Sequence, residues 1–198
     1  MKKAAMFGLD ARIALAIFGA LSVISGAALY SAIQEAKIVA MEAEVSEVTK
    51  ALEAFIIDTG IYPASRTDGE AIHANYLVEN PANVAGWNGP YLSYTKEGTT
   101  GLDHKEHGTI YLTRVKDDTW TAYNPTGVAC PKAHTGSCSV FLKYQDFKDD
   151  AMLKTLETRI DGTTNPGADN YAGSFRYNSA TNAAWFKTIV YDKSQGAD

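Results

Sequence analysis

Catalytic motifs are missing from the whole of this chain, and charge is missing from one long stretch of it. No nucleophile-elbow, phosphate-loop or zinc-protease motif occurs, and no Ser/His/Asp set has meaningful spacing, so no enzymatic activity is expected. A basic excess is missing too. The 18 Lys and Arg against 23 Asp and Glu leave a net charge of −5 shared by both signs, which gives no ground for a nucleic-acid partner. Cysteine is scarce: Cys130 and Cys138 are the two, close together in CPKAHTGSC. In a reducing compartment they would be free thiols or half of a metal site. Behind a membrane segment they would be a disulfide closing a short loop.

The charge-free stretch runs from Ile13 to Ile33 (IALAIFGALSVISGAALYSAI), and no proline interrupts it. As a helix rising roughly 1.5 Å per residue, its 21 or so residues span about 30 Å, one hydrocarbon core. Gly19 and Gly26 are tolerated there because a helix in lipid satisfies its own backbone. Beyond Ile33 the apolar residues thin to Ile38, Met41, Val45, Val48, Leu52 and Phe55, one face of a helix, with acidic and basic residues mostly elsewhere. One helix of about 50 residues is expected, lipid-like in its first half and domain-packing in its second. Lys2 and Lys3 should stay cytoplasmic. A secretory signal cut near Ser25-Gly26-Ala27 and a plain signal-anchor are two readings of the N-terminus, but Asp10 and the unbroken helix after Ala27 argue against the first.

Farther on, Asp58-Thr59-Gly60 ends the helix and Ile61-Tyr62-Pro63 forbids its continuation. The segment 68–83 reads as a short helix or irregular loop. It leads to Trp87-Asn88-Gly89-Pro90-Tyr91-Leu92, where Gly-Pro makes a turn and Tyr91 to Tyr94 reads as the first strand. Thr109–Val115 and Thr119–Tyr123 alternate well about a turn at Lys116-Asp117-Asp118, and Val140–Tyr144 follows the cysteine loop. Asp149–Ile160 is a second helix with Met152, Leu153, Leu156 and Ile160 on one face. After Asp161-Gly162 come a Gly-led strand at Gly173–Tyr177 and a closing strand at Ala184–Tyr191.

Three of these blocks together resemble the type IV pilins and type II secretion pseudopilins. MFGLDARIALAIFGALSVISGA is similar to the family's N-terminus, in which a leader peptidase cuts just before the apolar helix. The fifth mature residue there is acidic, and a Gly commonly follows nine positions later. Gly19 lies nine positions after Asp10, which makes Met6 the first mature residue and Ala5 the one before the cut. Ala5 and Asp10 stand where members usually have Gly and Glu, and each keeps the relevant chemistry, a small residue and a carboxylate. The Tyr62-Pro63 turn followed by Trp87 to Leu92 resembles major pseudopilins, and 156–177 resembles a C-terminal element of many pilins. Gly98 to Lys143 matches nothing specific.

The resemblance implies an α+β, type IV pilin-like fold, a long N-terminal helix packed against a C-terminal antiparallel sheet. Its parts would be a leader (1–5), an apolar half-helix (6–33), an amphipathic half-helix (34–59) and a globular domain (60–198). It implies a structural subunit that waits in the inner membrane and then polymerises with its own copies into a pilus or pseudopilus, periplasmic or extracellular. Prepilin peptidase and inner-membrane assembly machinery would be its partners. Asp10 would supply the assembly charge, meeting the new amine at Met6 in a low-dielectric core. Arg12 is unusual for the family; pairing with Asp10 or snorkelling to headgroups would account for it. Gly19, Gly26, Ile38, Val45, Val48, Leu52 and Phe55 would pack the helix. The alternative is a membrane-tethered binding or sensing module that never polymerises.

Two stretches raise the question of metal. His104 and His107 lie three apart beside carboxylates, but Gly98, Gly101 and Gly108 place them in what reads as a solvated loop. Asp161, Asn165 and Asp169 offer hard oxygen ligands, of the kind calcium prefers, and the resemblance implies a calcium loop in this region. The same residues are what any turn needs. No cofactor is expected, with calcium the one candidate.

Overall fold

The computed structural model describes residues 4–66, 71–118, 120, 129–130, 134–163 and 169–192, with side chains from Asp10 onward except those of 169 and 170. The chain divides into two compact units, Met1–Met41 and Glu42–Asp198. Helix α1 runs from Ala4 to Thr59. Its N–H···O ladder closes at Gly60, whose N–H donates to Ile56 O at 2.8 Å and whose φ of 71° is the left-handed cap the Asp-Thr-Gly sequence calls for.

In the first unit the large apolar side chains from Ile13 to Ile33 are between 46% and 73% exposed, and they point in every direction around the helix. A helix apolar all round is one made for lipid or for other helices. Among the described residues it is the one helix long and apolar enough to cross a membrane by length and composition.

The second unit is built on an antiparallel sheet. Its described strands are β1 (Ala71–Ile72), β2 (Thr95–Glu97), β3 (Gly101–His104), β4 (Gly108–Lys116), β5 (Cys138–Tyr144), β6 (Asp169–Asn170), β7 (Phe175–Asn178) and β8 (Ala183–Val190). The order is β2-β3-β4-β5-β8-β7-β6, with β1 also beside β4. Seven residue pairs, from Ile110↔Tyr144 to Lys116↔Cys138, join β4 to β5 at the centre. Alternation divides the sheet's side chains between two faces. Leu112, Leu142, Tyr144, Phe175 and Phe186 share one face, and Val48, Ala51, Leu52 and Phe55 of α1 are buried with them in this unit's core. Val115, Phe141, Ala183 and Trp185 point to the other face, where Trp120 covers them.

Helix α2 (Asp150–Asp161) starts at Asp149, whose carboxylate accepts from Met152 N–H at 3.0 Å, and ends at Gly162. It buries Met152, Leu153 and Leu156. Its Arg159 meets Glu42 of α1 at 2.8 Å, and its Glu157 accepts from the Tyr177 hydroxyl of β7 at 3.1 Å.

The sequence expectation differs from this fold in two places. Tyr91–Tyr94 is not the first strand. The N–H groups of Tyr91 and Leu92 donate to one carbonyl, Leu77 O, at 2.8 and 3.2 Å, so this segment folds against the 3-10 turn Ala74–Leu77 instead of joining the sheet. The first strand is the short β1. The stretch from Gly98 to Gly108, expected as a loop, holds strand β3 between two turns. Gly98 makes the tight turn between β2 and β3, and Gly108 starts β4. The strand expected at Thr119–Tyr123 falls, apart from Trp120, outside the described residues.

Candidate functional site

The residues the sequence singles out for assembly lie along α1. Asp10 and Arg12 are exposed, and an added Cβ at Gly19 or Gly26 would meet no atom within 4 Å, so both glycines leave open surface on the helix. The side chains of Ala5 and Met6 lie outside the described residues. Ile38 is buried, Val45 is half-buried, and Val48, Leu52 and Phe55 are fully buried.

Aromatic contacts hold the end of α1. The Phe55 ring sits edge-on to Tyr76 and Tyr91, with centroids at 6.2 and 5.9 Å. The Tyr91 hydroxyl donates to Asp58 Oδ2 at 2.9 Å, and Trp87 Nε1 donates to Tyr76 O at 2.8 Å. Gly86 runs so close beneath the helix end that a Cβ there would collide with Asp58 O. The Trp-Asn-Gly-Pro-Tyr-Leu motif is therefore a dock for the helix C-terminus. Tyr62 of the Tyr-Pro turn reaches the chain's other end: its hydroxyl accepts from Asp192 N–H at 3.1 Å, and its ring lies 4.7 Å from that of Tyr191.

A polar cluster near the start of the second unit's part of α1 went unread in the sequence. Glu44 accepts from the Tyr144 hydroxyl at 2.8 Å and lies 3.1 Å from His104 Nε2. Tyr94 also bonds to it. Burial, and then the Glu44 carboxylate, push both tyrosines above the ordinary phenol range, so both remain donors. The signal was present. Glu44 occupies a stripe position in the series Met41, Glu44, Val48, Ala51, Phe55, and a carboxylate on a buried stripe needs donors opposite it. The expected solvated loop at 103–107 holds for the exposed Asp103, Lys105 and Glu106 but not for the two histidines. His104 and His107 are half-buried, because their rings stack on each other at 5.0 Å and His107 stacks on Phe147 at 4.2 Å.

Cys130 and Cys138 form a disulfide, with Cα atoms 6.2 Å apart. Cys130 N–H donates to Arg114 O, and Cys138 pairs with Lys116, so the bridge clamps the last residues of β4. Of the calcium candidates, Asn165 and the side chain of Asp169 lie outside the described residues. Asp161 accepts from the N–H groups of Ser174 and Phe175 at 2.8 and 2.9 Å, so its carboxylate holds the entry to β7. No group of three or more metal-binding side chains occurs among the described residues.

A long N-terminal helix followed by an antiparallel sheet domain, with α2 and a disulfide beside the sheet, is a pilin-like α+β fold. Residues 28–99 match the family model of type II secretion system (T2SS), protein G, and this match supports the pilin and pseudopilin family for the chain. The matched stretch takes in the second half of α1, the Tyr-Pro turn, the Trp87 motif and β2. Neither curated proteins nor solved structures yield a match. The family is a structural, non-enzymatic component of the secretion system, which supports a pseudopilin structural subunit. With the apolar helix, it points to a membrane-anchored, periplasmic subunit that assembles with other components of that system.

Proposed function

We propose that the chain polymerises with its own copies into a pilus-like filament, its α1 helices forming the core. The observation that carries this reading is the exposed apolar surface from Ile13 to Ile33, on a chain whose following residues match a pseudopilin family. Before assembly that surface is held in lipid. In the filament, lipid contacts give way to dispersion contacts between helices, and Gly19 and Gly26 let neighbouring backbones approach closely. Prepilin peptidase cuts between Ala5 and Met6. The new amine of Met6 is then neutralised by Asp10 of a neighbouring subunit, which avoids an unpaired charge in an apolar core. The buried stripe Val48, Leu52 and Phe55 keeps the sheet domain fixed to its segment of helix.

Substitution of Asp10 by alanine tests this. The variant is expected to reach the membrane in normal amounts and to be lost from filaments by at least tenfold, as read by immunoblot of the filament fraction. Normal incorporation would remove Asp10 from the mechanism.

A further inference from the structure

Ile57 is the most exposed large apolar side chain among the described residues, at 81%, more open than any between Ile13 and Ile33. Yet it belongs to the part of α1 that carries the sheet domain. On the same outer face Ala43, Ser46, Glu47, Lys50 and Glu53 are exposed, and all are small or charged, as a wetted helix face should be. Ile61, one turn on, is 39% exposed and extends the apolar spot. A lone exposed isoleucine needs no explanation. This one has a counterpart.

The counterpart is a cavity of about 160 Å³ in the second unit, lined by Glu42, Val45, Ile160, Ser174, Phe186 and Lys187 and mostly apolar inside. A dry cavity of about 150 Å³ takes a benzene-sized guest, so this one has room for the side chain of an isoleucine. Two cations stand at its rim. Lys187 meets Asp117 at 3.0 Å, Arg159 meets Glu42 at 2.8 Å, and both are partly exposed. The segment around the knob, Glu53 to Ile61, carries two carboxylates, Glu53 and Asp58, and no cation. An acidic knob and a cation-bearing rim suit each other in sign.

We propose that Ile57 of one chain enters this cavity on a neighbouring copy, linking filament subunits by a knob and a socket outside the apolar core; the inference rests on the filament reading above. Ile57 lies twelve positions beyond Val45, about 18 Å along α1 and about a third of a turn around it. The knob therefore does not reach the socket of its own chain. Chains anchored in one membrane in the same sense hold their helices parallel. A step of about 18 Å up the axis is then not returned by the copy that receives the knob. The contact is heterologous, and it adds subunits in one direction without closing.

The test combines Ile57→Cys with Ser174→Cys, two exposed positions, in the full chain, whose own cysteines are already joined. Isolated filaments are imaged, oxidised and run on a denaturing gel without reductant. The expected result is a ladder of dimers, trimers and longer products from the double variant, and dimers at most from either single variant. Lys50→Cys with Ser174→Cys should give no ladder, since Lys50 lies about 10 Å from Ile57 along the same face. Ile57→Glu is expected to unfold at the same temperature as the parent in micelles. It should lower the chain in the filament fraction roughly tenfold, because a carboxylate enters an apolar socket, while Ile57→Leu assembles normally. Filaments that give no ladder, an equal ladder from the Lys50 pair, or full incorporation of Ile57→Glu would each overturn the socket and leave the filament standing. An unmodified chain that forms no filaments would remove the filament reading and this contact with it. Ile57→Glu decides alone if the double variant does not assemble.

Discussion

Arg176 is a buried cation whose partners are carbonyl oxygens and rings. Its guanidinium donates to Asp117 O at 2.8 Å, Asp118 O at 3.0 Å and Gly173 O at 3.1 Å, and it lies 4.3 Å from the Trp120 ring centroid and 5.1 Å from that of Phe141. It ties the turn after β4 to β7 across the face that Trp120 covers. Arg176→Ala is expected to lower stability by about 2–4 kcal/mol, because the loss combines charge-assisted hydrogen bonds with ring contacts. Arg176→Lys recovers only part of this, since an ammonium cannot reproduce the planar fork. Urea unfolding of the full chain in micelles measures both. In the sequence Arg176 sits between Phe175 and Tyr177, where alternation places it on the opposite, ordinarily wet, face. What buries it is Trp120, 56 residues earlier in the chain, and no local pattern connects the two.

His107 gives the chain an acid sensitivity of known sign. Its folded-state affinity for a proton is held below the ordinary value of 6.5 by burial, so the unfolded chain binds the proton more readily. Stability is then complete above about pH 7 and falls as the pH drops through the unfolded value of 6.5. His107→Phe keeps the stack on Phe147 and removes the titration. The difference in urea midpoint between pH 7.5 and pH 5.5 is expected to shrink in this variant. An unchanged difference would assign the acid sensitivity elsewhere.

At the scale of elements, helices and central strands were legible because their apolar composition and spacing are local. The 3-4 spacing gave the second half of α1 and the apolar face of α2, alternation gave β4, apolar β-rich composition gave β5 and β8, and the family resemblance gave β7, each within a few residues. Short edge elements were not legible. Two-residue β1 and three-residue β2 exist because a longer strand offers hydrogen bonds at its side, and Tyr91–Tyr94 has strand composition but spends its N–H groups on Leu77 O. The end of α1 is held by Phe55, fully buried between Tyr76 of the 3-10 turn and Tyr91 of the Trp87 motif. Phe55→Ala is expected to cost about 3–5 kcal/mol by opening a cavity there, while Ile57→Ala, at an 81% exposed position of the same helix, costs under about 0.5 kcal/mol. The Cys130–Cys138 bridge spans eight positions. Replacing both cysteines by serine is expected to lower stability by about 2–3 kcal/mol through the freedom regained by the unfolded loop. Thermal unfolding with and without reductant checks the same quantity in the unmodified chain.

Across the whole molecule, two kinds of surface are assigned two kinds of work. The first unit presents an apolar helix whose large side chains from Ile13 to Ile33 lie in the open, and the second holds a closed core sealed by a sheet, two stretches of helix and a disulfide. The motif from Trp87 to Leu92 lies within residues 28–99, which match the family's model, and the register from Asp10 to Gly19 lies outside them. Glu44 and its partners were harder to read, because their meaning depends on Tyr94, His104 and Tyr144 converging from three places in the chain. Polymerisation through α1 is the central claim. The most direct measurement is mass spectrometry of this chain in filaments isolated by shearing or from the periplasm, with electron microscopy of the same fraction. The account predicts filaments containing the chain with Met6 as its first residue. A chain found only as a membrane-extracted monomer that still begins at Met1 would contradict it.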